Sequence, residues 1–108
     1  MNKNELEVKS VKAFESLTTA RAALFTAAEV SIMEKFLLEQ QRSEATASGK
    51  IDGKNAEIRD GQIRELLADQ FLKLATAENA ERKARRDFDL ASIEADAVRT
   101  LLRIAELP

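Results

Sequence analysis

The side chains able to do chemistry in this sequence are few in kind. Histidine, cysteine, tryptophan and tyrosine are all absent. Their absence removes thiol and imidazole nucleophiles, Ser-His-Asp triads, structural zinc, haem ligation and disulfides. Carboxylates are plentiful, but a di-metal centre of the helical-bundle type needs Glu-x-x-His pairs on facing helices. No clustered ligand loop suggests magnesium or calcium either. Gly49-Lys50-Ile51-Asp52-Gly53-Lys54-Asn55 superficially resembles a phosphate cradle. Its glycines enclose only three residues, Asn55 stands where Ser or Thr is required, and no strand precedes it. Turn chemistry is the better reading, although two lysines at a helix start could hold an anion. No catalytic residue, metal ligand or cofactor is expected.

One cluster could act on nucleic acid. Arg82-Lys83-Ala84-Arg85-Arg86 concentrates positive charge of the kind that grips phosphates. The same helix supplies local compensation, because Glu78–Arg82, Glu81–Arg85, Lys83–Asp87 and Arg85–Asp89 all sit at i,i+4. No Tyr or Trp is interleaved to stack on single-stranded bases. Over the whole chain 17 Lys+Arg face 19 Asp+Glu, with a pI near 5.3, so there is no general attraction to nucleic acid or anionic lipid. No apolar run approaches the ~18 residues of a membrane span. The first residues lead straight into charged helical sequence, which predicts no secretory signal and a cytoplasmic protein.

The elements that carry these residues follow from punctuation. The 108 residues suit one domain. Eighteen alanines, three glycines and a single proline describe long helices. Neither glycine nor proline interrupts 1–48 or 62–107. The reading is an all-α, coiled-coil-like antiparallel hairpin: a helix over 3–47, a loop over 48–54 and a helix over 55–106. Each arm would run about 70 Å at 1.5 Å per residue. Gly49 suits a left-handed C′ position, and Asn55 (or, second, Asp52) suits the next N-cap. Gly61 is the weak point of the second arm, costing roughly 1 kcal/mol against alanine, and marks a kink or a late helix start.

Periodicity supplies the contact faces. In the second arm Ile63, Leu67, Gln70, Leu74, Ala77, Glu81, Ala84, Phe88, Ala91, Ala95, Val98, Leu102 and Ala105 step by alternating fours and threes. In the first arm Val11, Phe14, Thr18, Arg21, Phe25, Ala28 and Ile32 form a candidate matching seam, and Phe14, Phe25 and Phe36 lie eleven apart. Folding the chain near Ile51 pairs Val11 with Ala91, Phe14 with Phe88, Thr18 with Ala84, Phe25 with Ala77, Ala28 with Leu74 and Ile32 with Gln70. Arg21 then meets Glu81 as a buried ion pair that fixes register.

More apolar surface remains than one seam uses. Leu6, Ala13, Leu17, Ala20, Leu24 and Ala27 form a second stripe on the first helix; Leu90, Ile93, Ala97, Leu101 and Ile104 form one on the second. A lone two-helix hairpin buries too little to offset chain entropy. The stripes therefore predict a homodimer, most simply an antiparallel four-helix bundle, with Leu17, Ala20, Leu24, Leu90, Ile93 and Leu101 at its interface. A groove for another protein is the alternative use of the same surface.

The segment Gly53-Lys54-Asn55-Ala56-Glu57-Ile58-Arg59-Asp60-Gly61-Gln62 resembles a motif of small helical proteins encoded by bacteriophages and prophages. That motif reads Gly-Lys-Asn-Ala-Glu-x-Arg, followed shortly by Gln and Leu, between two long helices. Gly61 departs from it, since an alanine is usual there. The resemblance implies a phage-type origin and the host cytoplasm, and no assigned activity. Two functions follow from the sequence: a non-enzymatic interaction or scaffold protein, or an accessory nucleic-acid-binding protein using Arg82, Lys83, Arg85 and Arg86.

Overall fold

The computed structural model describes residues 2–108, with Met1 outside the described residues. It is all-helical: α1 spans Lys3–Ala47, α2 Ala56–Leu66 and α3 Ala68–Ala105. Asn2 starts α1, its Oδ1 accepting from the Glu5 N–H at 2.8 Å while the Glu5 carboxylate accepts back from Asn2 Nδ2 at 3.2 Å. The first of these bonds satisfies one of the backbone donors that a helix start leaves open, and the second holds the capping side chain in place. Gly49 ends α1 at φ 77°, with its N–H donating to Thr46 O and the Lys50 N–H to Ala45 O, both at 3.2 Å. Those two bonds make a Schellman closure, and glycine takes the left-handed position without a Cβ penalty.

The second arm departs from the expected single helix. The chain rotates at Leu67 to φ −107°, ψ 24°, a sparsely populated backbone region. Hydrogen bonds Leu67 N→Ile63 O at 2.9 Å and Phe71 N→Leu67 O at 3.0 Å bridge the break. Gly61, where a break was expected, sits inside α2 in open space. The kink falls instead at a buried leucine held by the core, since Leu67 packs in one cluster with Leu38 and Ile63.

The chain divides into two compact units, α1 up to Thr26 with Glu81–Pro108, and Ala27–Ala80. In the second unit Leu38, Ile63 and Leu67 make the core, with Ile51, Phe71 and Leu74 packed against it. A polar layer adjoins it. Gln70, 5% exposed, donates from Nε2 to Glu34 Oε2 at 2.6 Å and Glu34 O at 3.0 Å. Its Oε1 accepts from Gln41 Nε2 at 3.5 Å. In the first unit Leu6, Ala13 and Val98 are buried, and Leu17, Ala20, Leu24, Phe88, Ala91 and Leu102 are half-buried.

The face that α1 turns inward is not the one its phenylalanines suggested. Its least exposed positions include Leu6, Ala13, Leu17, Ala20, Leu24, Ser31, Leu38 and Ala45. They follow one alternating three–four spacing along the helix. Val11, Phe14, Thr18, Arg21, Phe25 and Ile32 point outward, Phe14 at 65% exposure. The physical reason is the composition of each row along its full length. Both rows keep the heptad of the second arm's buried stripe, Ile63 to Leu102. The row of Val11, Phe14 and Phe25 carries Arg21 and runs on into Glu7, Lys35 and Glu39, whereas the inward row holds only Glu34 as a charge from Leu6 to Ala45. The expected residue pairing fails with the seam: Glu34, not Ile32, meets Gln70.

Candidate interaction surface

Four groups of residues could carry function, and the structure places each. The loop comes first because Gly53, Asn55, Arg59 and Gln62 of its motif are held by hydrogen bonds within it. Asn55 caps α2, its Oδ1 accepting from the Ile58 N–H at 2.9 Å. Gln62 reaches back from α2, accepting from the Gly53 N–H at 2.9 Å and donating to Asp52 Oδ1 at 2.8 Å. Arg59 donates to the Gly53 carbonyl at 3.2 Å. Position 53 needs glycine because a Cβ there would lie 2.6 Å from Ile58 Cγ2. Every polar member named here closes the turn.

The basic cluster comes second. Arg82, Lys83, Arg85 and Arg86 are all exposed on α3. Lys83 Nζ lies 2.9 Å from Asp87 and Arg85 3.2 Å from Glu81. Glu81 is thereby engaged along its own helix, not across the hairpin. The expected Arg21–Glu81 pair does not form: Arg21 is exposed, and its guanidinium lies over the Phe25 ring at 5.5 Å. With Arg21 on the outward face of α1, the two charges have no shared seam.

The third group is apolar and outward-facing. In the first unit it comprises Val8, Val11, Phe14 and Phe25 on α1, and Leu90, Ile93, Leu101 and Ile104 on α3. In the second unit it comprises Val30, Ile32, Met33 and Phe36 on α1, with Leu72 on α3. Of the expected dimer contacts, Leu90, Ile93 and Leu101 belong here. Leu17, Ala20 and Leu24 do not, because they lie on the inward stripe of α1. The outward phenylalanines were visible in the sequence by their spacing, but as core.

The fourth is a shallow depression of about 430 Å³ in the second unit, lined by Val30, Glu34, Leu72, Thr76, Ala77 and Ala80. It is mostly apolar and widely open. No group of three carboxylates able to hold a metal occurs among the described residues. No helix among them is long and apolar enough to cross a membrane. Comparison of the chain with protein-family models, with curated proteins and with solved structures returns no match.

Proposed function

We propose that this chain is a non-enzymatic protein-interaction protein, a scaffold of phage type acting in the host cytoplasm, that self-associates through the outward apolar faces of its helices. The observation that carries the reading is the exposure of large apolar side chains in helical rows, Phe14, Phe25, Leu90 and Ile93 among them. Contiguous apolar surface of this kind marks a binding face. The magnitudes suit association. Leu90, Ile93, Leu101 and Ile104 average about 60% exposed, and fully burying such a side chain stabilises by about 1.5–3 kcal/mol. Burying four from each of two copies then contributes roughly 7–14 kcal/mol, against an association cost of about 4–15 kcal/mol. One helix face gives a concentration-dependent dimer.

The ion pairs within the basic cluster favour this reading over nucleic-acid binding, because they offset the charge that would meet phosphate. Light scattering coupled to gel filtration tests the proposal. A mass of twice 12.0 kDa at tens of micromolar is expected. A single-chain mass there refutes self-association.

A further inference from the structure

We infer that the first unit pairs with a second copy of itself through α3, in antiparallel orientation with the two-fold axis at Ala97. This rests on the self-association proposed above and specifies its partner face and register. Leu90, Ile93, Ala97, Leu101 and Ile104 fall within an arc of about 80° on a helix turning 100° per residue. All four large members are exposed, Ile93 at 65%. The stripe is its own mirror along the chain. Reversal about Ala97 carries Leu90 onto Ile104 and Ile93 onto Leu101. A small residue thus sits at the crossing point, where two backbones approach most closely, and a leucine meets an isoleucine on either side. A two-fold contact demands this self-complementarity.

Charge agrees with the same operation. Asp89 and Arg103 lie on one flank of the stripe, and neither forms an ion pair among the described residues. Antiparallel pairing about Ala97 brings each opposite the other's counterpart, with about 3 Å of axial offset at 1.5 Å per residue. Asp96, next to the axis residue, is already offset by Arg99 at 3.6 Å, while on the stripe's other flank Glu94 meets its own copy at about 9 Å of axial separation. The α1 face of this unit is less suited to a second copy. Glu15 falls within it, and the Arg21 guanidinium covers Phe25.

The absence of cysteine makes the register directly testable. Ala97→Cys, mildly oxidised, should link two chains across the axis. Leu90→Cys alone should not, because its two copies would lie about 21 Å apart, far outside disulfide reach. An equimolar mixture of the Leu90→Cys and Ile104→Cys chains should link to each other. Asp89→Arg should weaken association roughly three- to tenfold, and Arg103→Asp in the same chain should restore it. Self-linking of Leu90→Cys as readily as Ala97→Cys shows a parallel pair and overturns the inference. A dimeric mass with Ala97→Cys unlinked overturns the register while leaving self-association standing. A single-chain mass at every concentration overturns both.

Discussion

Truncating Gln70 tests whether the polar layer holds the second unit in register. Gln70 is 5% exposed and donates two hydrogen bonds to Glu34, one to its carboxylate at 2.6 Å and one to its carbonyl at 3.0 Å. A hydrogen bond to a charged group contributes about 1.5–3 kcal/mol, and the lower end applies because half-buried Glu34 regains some water. Loss of one buried methylene adds about 0.8 kcal/mol. Gln70→Ala should therefore cost about 2–3 kcal/mol, read by urea unfolding followed by helical circular dichroism at fixed protein concentration. At roughly 4–8 °C per kcal/mol for a chain of this size, the melting temperature should fall by about 10–20 °C. Glu34→Ala/Gln70→Ala should cost less than the two single losses combined, by about 1 kcal/mol or more. A loss below about 0.5 kcal/mol for Gln70→Ala, or strict additivity in the double variant, refutes the reasoning.

Further outcomes follow from the same geometry. Leu24→Glu places a charge on the inward stripe of α1 and should unfold or severely destabilise the chain, whereas Phe14→Glu, on the outward face, should leave helical content unchanged by circular dichroism. Gly53→Ala forces Ile58 and the start of α2 to shift, and should cost about 1–3 kcal/mol in urea unfolding. Asn55→Ala removes the α2 cap and should cost about 1 kcal/mol in the same assay. A gel-shift titration with single- and double-stranded DNA and RNA at low salt should show no retained complex; one that dissolves steeply with salt would instead support phosphate binding by Arg82, Lys83, Arg85 and Arg86.

The second arm was more legible than the first, and the difference is physical. The expected stripe from Ile63 to Leu102 is the one the structure turns inward, because a strict heptad admits only one inward face. On α1 two apolar stripes compete, and side-chain size misdirects the choice. Phe14, Phe25 and Ile32 outweigh Ala13, Ala20 and Ser31 in hydrophobicity, yet their row carries Arg21 and continues into Glu7, Lys35 and Glu39, whereas the inward row holds only Glu34 as a charge from Leu6 to Ala45. Gly49 and Asn55 could be placed from residue type alone, since a left-handed turn and a helix cap each demand a narrow set of side chains. The roles of Arg59 and Gln62 could not, because they depend on how α2 folds back over Gly53. The break at Leu67 carried no local cue: a leucine has no special backbone preference, and packing beside Leu38 and Ile63 accompanies the rotation there. The error over Arg21 and Glu81 followed from the wrong α1 face, and it disappears once Ser31, Glu34 and Leu38 are read as the inward row.

Sedimentation equilibrium across low and high salt tests most directly whether outward apolar faces drive self-association. The mass should rise with concentration from 12.0 kDa toward twice that value. The dissociation constant should change by no more than a few-fold as salt rises, because apolar burial is not screened and only the flanking Asp89–Arg103 pairs are. Ile93→Asp should shift the rise to at least tenfold higher concentration. A single-chain mass at every concentration contradicts the account, and so does a dimer that dissociates steeply as salt is added.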